Sequence, residues 1–116
     1  MFRFEELDIW KLAIDYANEI YNISNKFPDC EKYNLIIQVR KAALSISSNI
    51  AEGSGTRTNK NFSSFLDISV GSALETVNLL YFAKTRNYIS ETVRVDLYNK
   101  AEVLIKKIRS FKKRLI

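Results

Sequence analysis

The chain of 116 residues contains no histidine and a single cysteine, Cys30. Histidine is the side chain that most often transfers protons or binds metals near neutral pH, so its absence removes the commonest catalytic base and metal ligand. One cysteine can form no disulfide within the chain, and it cannot build a zinc site alone. We therefore expect no metal, no cofactor and no catalytic residue.

Long apolar runs are also missing. No stretch approaches the roughly 18 consecutive apolar residues that a membrane-spanning helix requires. Acidic residues follow Met1-Phe2-Arg3, where a signal peptide would have its apolar segment. Together with the single cysteine, which suits a reducing compartment, these absences predict a cytoplasmic protein without a membrane segment.

Residues that interrupt helices are few, namely one proline, Pro28, and three glycines. Between them, apolar side chains recur at spacings of three and four, the period of an α-helix, and no segment alternates as a strand does. The pattern predicts four helices, over about residues 6–25, 31–52, 58–86 and 90 to near the C-terminus. Gly53 is expected to end the second helix in a left-handed conformation, and Asn87 suits the exit of the third.

Four helices of similar length with short connections pack most simply as an all-α, antiparallel up-down-up-down four-helix bundle. A single domain over residues 1–116 is expected, with loops near 27–30, 53–58 and 87–90. The predicted core positions are Ile9, Ala13, Tyr16, Ile20 and Ile23, then Leu35, Val39, Ala42, Ile46 and Ile50, then Phe62, Leu66, Ala73, Val77 and Leu80, and finally Leu97, Ala101, Leu104, Ile108, Phe111 and Leu115.

The first two helices have a second apolar stripe in addition to the core positions. Its members are Trp10, Ile14, Ala17, Tyr21, Ile36 and Ala43. A bundle core needs only about three positions in seven, so the surplus favours burial between subunits. The alternative is an amphipathic rim on a monomer.

Charge is unevenly distributed along the chain, whose net charge is +5. Residues 1–31 hold seven acids against three bases, whereas residues 106–114 hold six bases and no acid. Such asymmetry favours an anionic partner or a head-to-tail contact between copies. A solvated helix end, where cations suit the C-terminal dipole, is the simpler explanation.

Polar side chains also follow one face of the second helix, at spacings of three and four. They are Gln38, Lys41, Ser45, Ser48, Asn49 and Glu52. A solvated face is one interpretation. Serine and asparagine are weak helix formers, however, so this cluster also suits bonds from Asn49 and Glu52 to a neighbouring helix or to the 53–57 turn, or direct contact with a ligand.

Gly71 lies in the middle of the third helix, where glycine costs about 1 kcal/mol relative to alanine. Close approach of a bulky ring would explain the glycine, and Trp10 is the candidate ring. An arbitrary glycine is the alternative.

Several strings in the chain resemble those of a bacterial four-helix bundle family named for intervening sequences in 23S ribosomal RNA genes. In order they are Phe4-Glu5-Glu6-Leu7-Asp8-Ile9-Trp10-Lys11, Gln38-Val39-Arg40-Lys41-Ala42-Ala43, Ser45-Ile46-Ser47-Ser48-Asn49-Ile50-Ala51-Glu52-Gly53, Asn61-Phe62-Ser63-Ser64-Phe65-Leu66 and Gly71-Ser72-Ala73-Leu74-Glu75. The Ser-Asn-Ile-Ala-Glu-Gly string is the most specific. Ser47 stands where the family pattern usually has proline, so a bend imposed by that proline is in doubt.

The resemblance implies a non-enzymatic bundle that assembles into a barrel-like homopentamer. Accessory proteins of diversity-generating retroelements look like relatives, which implies binding to nucleic acid and, for those relatives, to a reverse transcriptase. The motif residues that the resemblance marks as structural or interfacial are Trp10, Ser45, Ser48, Asn49, Glu52, Gly53 and Gly71.

The predicted function is binding of RNA or DNA backbone by charge, without reading of bases. The cations assigned to this contact are Arg40, Lys41, Arg57, Lys60, Lys106, Lys107, Arg109, Lys112, Lys113 and Arg114. Because even-numbered helices of such a bundle point the same way, the tail and the 53–58 turn should lie together. The alternative is a scaffold that docks a partner protein through an apolar groove.

Overall fold

The computed structural model describes residues 1–115, so Ile116, the last residue of the predicted domain, lies outside the described residues. Its four helices are α1 (Asp8–Ser24), α2 (Leu35–Ser54), α3 (Asn59–Thr85) and α4 (Glu91–Lys113). Short 3₁₀ turns at Arg3–Glu6 and Asp29–Glu31 precede α1 and α2. Residues 1–115 contain no strand, and the predicted all-α fold is confirmed.

Neighbouring helices run antiparallel, as predicted. Ser69 of α3 donates a hydrogen bond to the Ile46 carbonyl of α2 at 2.9 Å, and Ser72 donates to the Ser45 hydroxyl at 2.8 Å, so α2 numbers fall as α3 numbers rise. Contacts link α1 with α2, α2 with α3, α3 with α4 and α4 with α1, most extensively between α2 and α3. The result is an up-down-up-down bundle measuring 43 × 24 × 21 Å.

The predicted stripes form the core. All five positions assigned to α2 are buried, and in the other helices only Ile23, Val77 and Phe111 remain partly exposed while packing against the core. The second apolar stripe belongs largely to the same core, because Ala17 and Ala43 are buried within the subunit itself. Surplus apolar surface therefore lies elsewhere on the bundle.

Side-chain caps and turn geometry fix the helix ends. Thr58 accepts a hydrogen bond from the Asn61 amide at the start of α3, and Ser90 accepts one from the Val93 amide at the start of α4. Asn87, with φ of 63°, is the left-handed residue after α3. The prediction for α2 was wrong at its start, since a 3₁₀ turn occupies 29–31 and the helix begins at Leu35.

Gly53 does not end α2 in a left-handed conformation, contrary to the sequence prediction. The helix continues to Ser54, and no glycine within residues 1–115 has a positive φ. A Cβ at position 53 would lie 2.7 Å from the Phe65 Cβ and 2.8 Å from the Phe62 Cδ1. Glycine is needed here because α3 approaches the α2 backbone too closely for any side chain.

Gly71 has the opposite surroundings, and the prediction that the Trp10 ring approaches it was wrong. No atom lies within 4 Å of the position that a Cβ would take, and the residue is exposed. Trp10 instead packs against Phe4, with ring centroids 4.9 Å apart. Within the subunit, packing gives no reason for the glycine.

Candidate nucleic-acid interface

The end of α2, the start of α3 and the end of α4 meet at one end of the bundle. The Asn59 side-chain amide donates a hydrogen bond to the Leu115 carbonyl at 2.6 Å, which ties the start of α3 to the C-terminal tail. The prediction that the tail and the 53–58 turn lie together is therefore confirmed. We call this end, with its exposed cations, the basic pole.

Aromatic side chains support the basic pole from beneath. Phe62 of α3 is almost completely buried, and its ring centroid lies 5.5 Å from that of Phe111 of α4. The Arg3 guanidinium lies over the Phe62 ring, 5.1 Å from its centroid. Because α3 and α4 are packed together here, the cations on their surfaces have fixed backbone positions.

The cations of the basic pole come from two helices and the turn between α2 and α3. The exposed ones are Arg57, Lys60, Lys106, Lys107, Arg109, Lys113 and Arg114. Lys112 differs, since its ammonium forms an ion pair with Asp67 at 2.7 Å. Lys106, Arg109 and Lys113 recur at spacings of three and four, so they form a cationic strip over about 10 Å of α4, whereas Lys107 lies on a different face.

Acidic side chains limit the pole on the α1 side. Glu6 and Asp8 line a surface depression together with Phe111 and Arg114. A polyanion would therefore be repelled near the start of α1 and attracted along α3 and α4. The favourable surface is the part of the pole that faces away from α1.

Arg40, assigned from sequence to the cationic surface, lies near the opposite end of the bundle. Its Nε donates to the Ser24 hydroxyl at 2.8 Å and its guanidinium donates to the Asn25 side-chain oxygen at 2.6 Å. The same guanidinium stacks over the Tyr21 ring at 4.6 Å. These bonds hold the end of α1 against α2, so Arg40 has a structural role in the subunit.

Lys41 is exposed on α2 and also lies outside the basic pole. It precedes the end of the helix at Ser54 by about 20 Å at 1.5 Å per residue. The structure therefore separates Arg40 and Lys41 from the other eight cations of the predicted set.

The serine-rich motif of α2 forms a polar link to α3. Asn49 donates to the Ser45 backbone carbonyl at 2.8 Å and to its hydroxyl at 2.9 Å, and that hydroxyl also accepts from Ser72. The bond to the neighbouring helix is therefore made by Ser45, with Asn49 fixing its orientation. Ser48 and Glu52 are exposed.

A second concave feature lies between α1 and α4, the pair of neighbouring helices with the least contact. It is a cleft of about 370 Å³ lined by Leu12, Tyr16, Val103 and Leu104, with charged residues along its rim. We call it the α1/α4 cleft. Sequence periodicity could not reveal it, because all four lining residues occupy ordinary helical positions.

Residues 1–115 contain no group of three histidine, cysteine, aspartate or glutamate side chains placed to hold a metal ion. Over the same residues, no helix combines the length and apolarity needed to cross a membrane.

Sequence reasoning missed two parts of the basic pole. No sequence pattern indicated that the side chain of Asn59, at the start of α3, would bond to residue 115. The Phe62–Phe111 pair was also unforeseen, since each was assigned only to the core stripe of its own helix. The signal available was that both aromatic residues fall near the same predicted end of the bundle.

Comparison with known proteins gives a family and a fold. The family model described as 23S rRNA-intervening sequence protein matches residues 5–110. A crystal structure of a protein of unknown function from the S23 ribosomal protein family, from Bacteroides thetaiotaomicron, is similar with a TM-score of 0.82. The two chains share 21% identity over 90% of this chain and 98% of that one, which shows the fold alone. Comparison with curated proteins finds no match.

Proposed function

Because the chain belongs to the 23S rRNA-intervening sequence protein family, we propose that it is a non-enzymatic, oligomeric bundle that binds nucleic-acid backbone at its basic pole. The single observation that supports this most strongly is the hydrogen bond between Asn59 and Leu115, which brings the cations of α3 and α4 to one end. Cations on two adjoining helices can contact successive phosphates. RNA and DNA of any sequence should bind, since no base-reading element is involved.

The proposed oligomer is a homopentamer, in line with the family resemblance. Large apolar side chains that remain more than a third exposed on α2, α3 and α4 support assembly, because contact between copies would remove their apolar surface from water. They include Ile37, Leu44, Ile68, Leu74, Phe82, Val95 and Val103. Repetition of the basic pole around such an assembly would multiply weak phosphate contacts into avidity.

Replacing Lys60, Arg109 and Lys113 by glutamine should lower affinity for an unstructured RNA and for an unrelated DNA alike. Each phosphate contact that is lost should reduce the slope of log affinity against log salt by about 0.7–0.9, so the triple variant should lose about 2 from that slope. A filter-binding titration at several potassium chloride concentrations measures both quantities.

The matched control removes the same charge from the other end of the bundle, through Lys26, Lys32 and Lys84 replaced by glutamine. This control should bind almost as the parent does, apart from a small uniform loss from the lower net charge. Equal loss in both triple variants would show that net charge alone attracts nucleic acid, which would contradict a site at the basic pole.

A scaffold that docks a partner protein is the second candidate function, and the α1/α4 cleft is the observation that favours it. The two functions differ in their response to ions, because only phosphate binding weakens steeply between low and moderate ionic strength. A captured protein that resists both nuclease and salt would favour the scaffold.

A further inference from the structure

The α1/α4 cleft continues as a groove along the seam between these two helices. A second depression, of about 450 Å³, adjoins it and shares Glu19 and Asp96 as lining residues. From Leu12 to Ile23 the groove extends about 16 Å, or three helical turns. Its length suits a helix of another molecule better than it suits a single side chain.

The wall of the groove contains a polar group without a partner. The Tyr16 hydroxyl is buried and makes no hydrogen bond within the described residues, although burying a hydroxyl without a partner is destabilising. Burial, with the nearby Glu19 charge, raises the pKa of Tyr16, so the hydroxyl stays protonated. The seam between α1 and α4 therefore contains a hydrogen-bonding group that has no partner in the isolated subunit.

The rim of the groove has an excess of negative charge. Lys100 pairs with Glu19 and also with Asp96, the latter at 3.2 Å. The third carboxylate of the rim, Asp15, is exposed and forms no ion pair within residues 1–115. With three carboxylates and one ammonium, the charged residues that line the groove have a net negative charge, which favours a cation on the surface that covers it.

The other side of the bundle has an apolar ridge with a cation at its centre. Ile37, Lys41 and Leu44 recur on α2 at spacings of four and three, so they form one line on the helix surface. Ile37 is 43% and Leu44 40% exposed, and Lys41 forms no ion pair within the described residues. We call this line the α2 ridge.

We infer that the α2 ridge of one copy occupies the α1/α4 cleft of a second copy, with Lys41 facing Asp15. The inferred contact depends on the oligomer proposed above and identifies its surfaces. The ridge would place apolar side chains over the floor of the cleft. It would also place the Lys41 ammonium beside Asp15, the carboxylate of the rim that has no ion pair within the subunit.

The position of the two surfaces also determines the kind of assembly. The helices follow one another around the bundle, so the α1/α4 seam and the outer face of α2 lie on different sides of the subunit. A contact between two different surfaces is heterologous, and it leaves one ridge and one cleft free for further copies. Such a contact closes a ring when the rotation between copies is a whole fraction of a turn, and the homopentamer proposed above is a ring of that kind, in which every cleft would be filled.

Cysteine cross-linking tests the pairing directly, in a chain whose exposed Cys30 is first replaced by serine. Leu44→Cys and Val103→Cys place one thiol on the α2 ridge and one at the α1/α4 cleft. On mild oxidation, the double variant should give a ladder of covalent oligomers, and a mixture of the two single variants should give dimers. Each single variant alone should remain monomeric under denaturing conditions, because like surfaces do not meet.

Charge reversal provides a second measurement that does not depend on cysteine. Lys41→Glu and Asp15→Lys should each raise the concentration at half-assembly about fivefold, since like charges would then face each other. The double variant should restore the parental value. Two single effects that add in the double variant would contradict the pairing.

Light scattering of the parent distinguishes this inference from the proposed oligomer. A monomer at micromolar concentration would overturn both. An oligomer whose Leu44→Cys, Val103→Cys double variant gives no ladder, or whose single variants cross-link to themselves, would leave the oligomer standing and overturn only this interface. A different protein bound in the cleft of the assembled parent would also overturn the inferred interface.

Discussion

Replacing Leu66 by alanine should lower the free energy of unfolding by about 2–5 kcal/mol. Leu66 has no exposed surface and lies in the first half of α3, where it packs in the hydrophobic core. Truncation removes buried methyl groups and leaves a cavity that the surrounding helices can only partly fill. Urea denaturation followed by circular dichroism measures the loss as a lower midpoint at an unchanged slope.

Leu74→Ala is the matched control, since it makes the same substitution in the same helix. Leu74 is 53% exposed, so its removal should change the free energy of unfolding by less than about 0.5 kcal/mol. Equal effects at positions 66 and 74 would show that the register of α3 is wrong. Both variants should be compared at a protein concentration low enough to keep the subunit monomeric, because assembly would cover Leu74 and add to apparent stability.

Gly53→Ala should destabilise the protein by about 1–3 kcal/mol, although alanine is the better helix former. The new methyl group would lie 2.7 Å from the Phe65 Cβ, which cannot move without the α3 backbone. Separation of α2 from α3 at this point is the expected consequence. Thermal and urea unfolding should both show the loss.

Gly71→Ala is the comparison for that variant and should act in the opposite direction. The position is helical, exposed and surrounded by open space, so the substitution should stabilise the subunit by about 0.5–1 kcal/mol through its backbone entropy. A Gly53→Ala variant as stable as Gly71→Ala would contradict the close approach of α3 to α2.

Apolar periodicity was sufficient to predict the four helices and nearly all of the core. Each stripe reports which face of its helix is buried, and short connections allow only antiparallel neighbours. The family resemblance, noted from strings such as Ser48-Asn49-Ile50-Ala51-Glu52-Gly53, is also confirmed by the match over residues 5–110.

The glycines show what periodicity could not provide. Gly53 and Gly71 are both helical. A turn was predicted at Gly53, where α3 in fact approaches closely, and a close approach was predicted at Gly71, which in fact has open space around it. Whether space exists beside a helical glycine depends on the distance to a second helix. The spacing of residues along one helix carries no information about that distance. Predicting that distance requires the packed structure.

The same limit applies to the cations. Helix direction was enough to place the C-terminal tail beside the 53–58 turn, because the direction of each helix follows from topology alone. The role of Arg40 was not predictable. Its partners, Ser24 and Asn25, lie at the end of α1, and only the packing of α1 against α2 brings them to Arg40.

The salt dependence of binding is the most direct test of whether the basic pole holds nucleic-acid backbone by charge. Affinity for two RNA molecules of unrelated sequence should be measured by fluorescence anisotropy from low to moderate potassium chloride concentration. We predict the same steep slope for both, equivalent to about four or more phosphate contacts, with little difference in affinity. No binding at low salt, or a preference for one sequence that persists as salt rises, would contradict the claim.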